Sequence, residues 1–181
     1  MFAFNEDHIM IPDLPNEIHA EYDILMNYLM TTNDSTKWKL KKIYNFIDFY
    51  NINFTSKIAS CKKGCSFCCT LDEISVSKYE ADFIKKNVKD LSKAYRMNMA
   101  TDKKGCSFLV ENCCAIYESR PYVCRTYHAL GEPSNCIGGK LQAFYGTAPS
   151  YSSNILRNLV AYISRLSNNE YKDIRQWFPK S

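Results

Sequence analysis

Apolar residues recur at steps of three and four along both ends of the chain. Ile18, Tyr22, Leu25, Met26 and Leu29 fall on one face of a helix that Asn16 can cap. Pro12 and Pro15 keep the segment before it extended. A second helix starts between Asn33 and Ser35 and carries Leu40, Ile43, Tyr44, Ile47, Tyr50 and Phe54 on its apolar face. Near the other end, Ser152 or Ser153 caps a helix that turns Ile155, Leu156, Leu159, Val160, Ile163 and Leu166 inward. A last short helix runs from about Glu170 to Trp177, ahead of Pro179. These read as core helices without chemistry of their own. His8 and His19 have no ligand-bearing neighbour at usable spacing.

Between them the pattern changes. Leu71–Val76 alternates like a short strand. Ser77-Lys-Tyr-Glu80 spells a capping box for a helix through about Val88, with Ala81, Phe83, Ile84 and Val88 as its apolar side. Residues 90–105 are polar and read as irregular. Cys106–Val110 and Cys114–Tyr117 flank Glu111-Asn112, which predicts a small hairpin. Glu118-Ser-Arg-Pro121 ends the second strand and opens a helical turn carrying Cys124. Gly131, Pro133, Gly138 and Gly139 mark a loop around Cys136. No repeat or low-complexity linker interrupts the chain. The expectation is one domain over residues 1–181, with a helical part (1–60), a cysteine-rich core (61–139) and C-terminal helices (140–181). Its fold class is mainly α with a small β-hairpin: an irregular, metal-centred cysteine domain flanked by helices.

Composition narrows the function. With 46% hydrophobic residues in 181, the chain can bury a core. The net charge of +4 is spread among acidic residues, so the basic footprint of a nucleic-acid binder is missing. No stretch approaches the length of a membrane span, and the first residues lack the pattern of a secretory signal. The expected setting is therefore the cytoplasm, without membrane, where thiols stay reduced and clustered cysteines serve metal or redox chemistry rather than disulfides.

All nine cysteines lie between positions 61 and 136. Cys61, Cys65, Cys68 and Cys69 put four sulfurs into nine residues, and thiolates are soft ligands for zinc, copper(I) and iron–sulfur clusters. Gly64 lets the loop turn tightly before Cys65, so that backbone N–H groups can face the sulfurs. The Cys-x3-Cys-x2-Cys spacing also occurs in radical S-adenosylmethionine enzymes, but their repeated strand–helix alternation is absent from this sequence. Neighbouring side chains point apart in strands and helices, so Cys68 and Cys69 are expected to serve different purposes, as are Cys113 and Cys114. Two four-sulfur sites, or one site with several structural cysteines, both remain open.

The order Cys61-x3-Cys65-x2-Cys68-Cys69, Cys106-Ser-Phe-Leu, Cys114-Ala-Ile-Tyr-Glu-Ser-Arg-Pro121-Tyr-Val-Cys124-Arg and Cys136 resembles the YkgJ-type cysteine-cluster family over about residues 60–140. That family is described as zinc- or iron-chelating. The resemblance implies that Cys61, Cys65, Cys68, Cys69, Cys106, Cys114, Cys124 and Cys136 are the metal positions, and it leaves Cys113 out. The family is also similar to the cysteine-rich part of flagellin lysine methylases, which are longer than this chain.

Three sulfurs in one compact loop with a distant fourth resemble the way four-iron clusters are held, so the favoured cofactor is an iron–sulfur cluster (4Fe-4S), with zinc as the alternative. The leading function is a metal-binding protein in redox chemistry or protein modification, with an unidentified protein or small-molecule partner. A zinc-stabilised interaction module without catalysis and a lysine methylase-like enzyme are the alternatives. Around the cysteines, Arg120-Pro121 reads as structural, with Arg120 as a cation opposite the thiolates in the sharper reading. Arg125 and Tyr127 can line a pocket near Cys124. His128 is not needed where sulfurs suffice, and Glu73, Glu80 and Glu118 serve as bases only if they face a pocket.

Overall fold

A computed structural model of the chain describes residues 11–62, 64–71, 73–88, 105–130, 144–146 and 152–179. His8, most of the expected irregular stretch 90–105 and the loop around Cys136 lie outside them. Helices of all kinds make up about 59% of the described part, and the strands form three short antiparallel pairs, which makes the fold mainly α.

Helix α1 spans Asn16–Thr31 and buries Ile18, Leu25 and Leu29. Asn16 is its first helical residue and not its cap. Pro15 takes the cap position with an extended backbone, and its carbonyl accepts from the N–H of Ile18 at 3.0 Å. Helix α2, Thr36–Tyr50, is capped by Ser35 and buries Leu40, Ile43, Tyr44, Phe46, Ile47 and Tyr50. It then widens into a π turn, Asn51–Thr55, and ends in Ser56–Ile58. No sequence period announces a π turn, and such turns often mark functional positions.

The Ser77–Glu80 capping box forms as expected and starts helix α3, Lys78–Asn87. The strand expected over Leu71–Val76 shrinks to β1, Ser75–Ser77. Its partner is β6, Tyr171–Asp173, with Val76 opposite Lys172. The last helix is accordingly shorter than expected. It covers only Ile174–Trp177, because Asp173 and Gln176 close a capping box after the strand. The hairpin pairs β2, Leu109–Val110, with β3, Cys113–Cys114. Glu111 and Asn112 both have positive φ (47° and 60°), the signature of a type I′ turn.

Helix α4, Tyr122–Thr126, follows the Arg-Pro turn. It runs into β4, Tyr127–Ala129, which pairs with β5, Phe144–Gly146. Only glycine fits at 146: φ is +122°, and an added Cβ would collide with the Thr126 carbonyl. Helix α5, Asn154–Leu166, is capped by the Ser153 hydroxyl and buries Ile155, Leu156, Leu159 and Ile163. Numbered in the same order, Ile174–Trp177 is α6.

Two apolar cores result. One gathers α1, α2 and α5 with Phe83, Tyr122 and Tyr145. The other joins Ile74, Val76, Ala81, Ile84, Cys106, Phe108 and Ile116 to Ile174 and Phe178 from the C-terminal segment. Helix α3 serves both, with Phe83 on one side and Ala81 and Ile84 on the other. Phe108 and Phe178 meet edge to face at 4.9 Å, and the Ser107 hydroxyl donates to the Phe178 carbonyl at 2.6 Å. Among the described residues no helix is long and apolar enough to cross a membrane.

A candidate metal centre of cysteine thiols

The cysteine run enters from the end of α2. Ser60 N–H donates to the Ala129 carbonyl at 2.8 Å, and Ala129 N–H donates back to the Cys61 sulfur at 3.2 Å. Cys61 is thereby fixed against β4. Next, Cys65 N–H closes a turn on the Lys62 carbonyl at 2.9 Å, with Gly64 at φ +89°. Space does not demand the glycine, because nothing lies within 4 Å of an added Cβ; the positive φ does.

Phe67–Thr70 then winds into a single 3-10 turn that holds Cys68 and Cys69. Here the two thiols, expected to serve different purposes, lie close enough to influence each other. Their side-chain interaction lowers Cys68 and raises Cys69. The turn is tightly wound after Ser66, with Cys69 N–H on the Ser66 carbonyl at 2.9 Å. By contrast, Cys113 and Cys114 do separate. Cys113 is exposed in the hairpin, whereas Cys114 packs against the second core.

Four separate segments deliver sulfurs to this place. Cys106 N–H donates to the Cys69 carbonyl at 2.7 Å, tying the start of the hairpin segment to the 3-10 turn. Cys106, Cys68 and Cys114 all act on Cys124 by charge, and Cys106 and Cys124 act on Cys69. Cys68, Cys69, Cys106, Cys114 and Cys124 thus form one electrostatic neighbourhood. Among the described residues no disulfide joins the cysteines, and no three of their His, Cys, Asp and Glu side chains close into a metal-holding group. Cys136, the remaining expected ligand, lies outside the described residues.

Burial, with the neighbouring sulfurs, pushes the Cys124 thiol well above its ordinary range. Burial also raises Cys114, against the Ile116 backbone and the Arg120 charge. Cys68 behaves oppositely. The hydrogen bond from Cys69 outweighs burial and, with backbone N–H groups and Arg120, brings Cys68 down to about 7. Cys68 is thus more easily deprotonated than Cys114 or Cys124. A bound cation overrides that difference, because coordination deprotonates thiols outright. Thiols are soft donors, and several in one electrostatic neighbourhood suit a thiophilic metal.

The scaffold under Cys124 comes from residues with no sulfur. Glu80, 2% exposed, accepts from Tyr44 OH at 2.9 Å, Ser77 Oγ at 2.7 Å, Ser77 N–H at 3.1 Å and Tyr122 N–H at 2.6 Å. It is a fully used structural carboxylate that caps α4, and not a base facing a pocket. Arg125, also 2% exposed, reaches both oxygens of Asp48 at 2.7 Å and the carbonyls of Arg120 (2.9 Å) and Glu118 (2.5 Å). Its guanidinium lies 4.3 Å from the Tyr44 ring centroid. Instead of lining a pocket, it pins the Arg-Pro turn to α2. Helix α2, expected to be chemically silent, therefore contributes Tyr44 and Asp48 to the support, and the π turn after it contributes Asn51. Asn51 Nδ2 donates to the Arg125 carbonyl at 2.8 Å. His128 Nε2 lies 2.9 Å from the same carbonyl and 3.2 Å from Asn51 Oδ1, so that nitrogen carries its proton. Burial lowers the pKa of the ring and keeps it neutral.

A family model matches residues 60–150, half of the 181-residue chain; its label is CxxCxxCC and its description reads "putative zinc- or iron-chelating domain". The label places two residues between the first two cysteines, where this chain has Lys62, Lys63 and Gly64. Neither a curated protein nor a solved structure matches the chain. The matched stretch contains every cysteine together with Glu80 and Arg125, while Tyr44, Asp48 and Asn51 precede it, and the chain belongs to the CxxCxxCC family of zinc- or iron-chelating description.

Proposed function

We propose that this protein is a metalloprotein whose thiols hold an iron–sulfur cluster. The observation that carries the reading is the electrostatic coupling of Cys68, Cys69, Cys106, Cys114 and Cys124, with Cys106 N–H bonded to the Cys69 carbonyl at 2.7 Å. Cys61, Cys65 and Cys136 complete the proposed ligand pool from the same family positions. Such a cluster supplies one-electron transfer when bound, at a potential tuned by hydrogen bonds to its sulfurs. The chain's own part is to gather the sulfurs, ease the deprotonation of Cys68, and hold α4 in place through Glu80 and Arg125. A reducing cytoplasm suits thiols of this kind, and redox chemistry or modification of a partner protein is the role that follows.

A second reading has its own support. Cys69, Cys106, Cys114 and Cys124 are packed with Phe108 and Ile116 in an apolar core. That is the setting of a closed structural zinc site, which organises an interaction module without catalysis. Anaerobic purification separates the two. A brown protein with iron and acid-labile sulfide supports the cluster; a colourless protein with stoichiometric zinc, stable in air, sinks it in favour of zinc.

A further inference from the structure

We infer that Arg120 is the positioning residue of the bound metal group, its Nε–H donating to a thiolate sulfur of Cys68 or Cys114. The inference rests on the metalloprotein reading above. It starts from an orphan. Arg120 Nε is buried and has no hydrogen-bond partner among the described residues. A buried N–H left unpaired is costly, and native proteins keep few of them without a reason.

The rest of the side chain is held in place around that orphan. The guanidinium stacks on the Tyr117 ring at 3.7 Å from its centroid. Its closest ion pair, to Asp48, is long at 3.9 Å, and Asp48 is already engaged by Arg125 at 2.7 Å. The Arg120 carbonyl is pinned by Arg125 Nε, and Pro121 fixes the next φ. The planar fork is thus fixed at its base and on one face without its Nε–H being used. The positive charge of Arg120 acts on both Cys68 and Cys114. Protonated thiols are weak acceptors; thiolates on a metal are strong ones. N–H groups donating to ligand sulfurs orient them and strengthen binding.

The test uses the full chain, Zn(II) and Co(II), and two variants. Arg120→Lys keeps the charge but loses the Nε–H and the planar stack; Arg120→Gln keeps an N–H donor but loses the charge. Affinity is read by competition with a chromophoric chelator, and the sulfur–cobalt charge-transfer band reports on the thiolates themselves. Both variants are expected to bind about tenfold more weakly, with a displaced band. Thermal unfolding of the metal-free proteins is expected to be unchanged or slightly raised, since an orphan donor has been removed. Equal affinity and an unmoved band in both variants, with a parent that binds, overturn this inference alone. So does a large loss of metal-free stability with unchanged affinity, which is the mark of a merely structural arginine. A parent that binds neither ion overturns the metalloprotein reading and this inference with it.

Discussion

The backbone N–H of Tyr122 donates to Oε1 of Glu80 at 2.6 Å across 42 positions of sequence. Glu80 thus caps two helices at once, its own through Ser77 and the one that carries Cys124. Replacing it with Ala strands Tyr44 OH, Ser77 N–H and Tyr122 N–H without acceptors. We expect Glu80→Ala to destabilise the protein by about 3 kcal/mol and Glu80→Gln by roughly half of that, because one amide oxygen replaces two carboxylate oxygens. Urea unfolding checks this; an unchanged midpoint for Glu80→Ala would show that the cap is dispensable.

Arg125 and Asp48 provide the second hold on the same turn. Arg125→Lys keeps the charge but cannot reach Asp48, Arg120 and Glu118 together. A loss of about 2 kcal/mol is expected. Asp48→Asn should cost less, near 1 kcal/mol, since the Asp48 side chain is 42% exposed and solvent screens the pair. In a double-mutant cycle the two losses should be less than additive; full additivity would remove the pair from the account.

The C-terminal clamp has its own pH signature. Burial pushes Asp173 up, but Arg175, with the backbone N–H groups of Ile74 and Arg175, outweighs it and holds the carboxyl at about 2. A carboxylate with a depressed folded pKa stabilises above the unfolded value and loses that contribution as pH falls through the folded value. The window therefore runs from near pH 4 down to about 2. Stability should fall there by roughly 1 kcal/mol after solvent screening. Asp173→Asn should flatten that step in acid titrations followed by Trp177 fluorescence; an unaltered step would assign it to other carboxylates.

Much of the scaffold was legible because its signals are local. The Ser77–Glu80 capping box, the apolar faces and the Glu111-Asn112 turn each sit within a few residues, and each forms. The β1–β6 and β4–β5 pairs were not, since three-residue strands carry too little alternation to register and their partners lie far along the chain. The support of the site was hidden for the same reason: Asp48 meets Arg125 across 77 positions, and Asn51 reaches it only through the π turn. Cys68 and Cys69 sit in a 3-10 turn, a geometry that the side-chain periods of strands and α-helices do not describe.

The hairpin offers a contrast between neighbours. Cys113 is exposed, whereas Cys114 joins the sulfur group. Cys113→Ser should leave metal content and stability within experimental scatter. Cys114→Ser should weaken metal binding at least about tenfold, because a thiolate is lost from a site whose binding energy is also folding energy. The reverse pattern would mean that the register of the hairpin is wrong.

The most direct test of the central claim is the metal-to-protein ratio of the anaerobically prepared full chain, measured for the parent and Cys124→Ser. The account predicts about one metal group per chain in the parent and near-complete loss in the variant. A parent free of both iron and zinc, or a variant that retains the parent's full metal content, would contradict it.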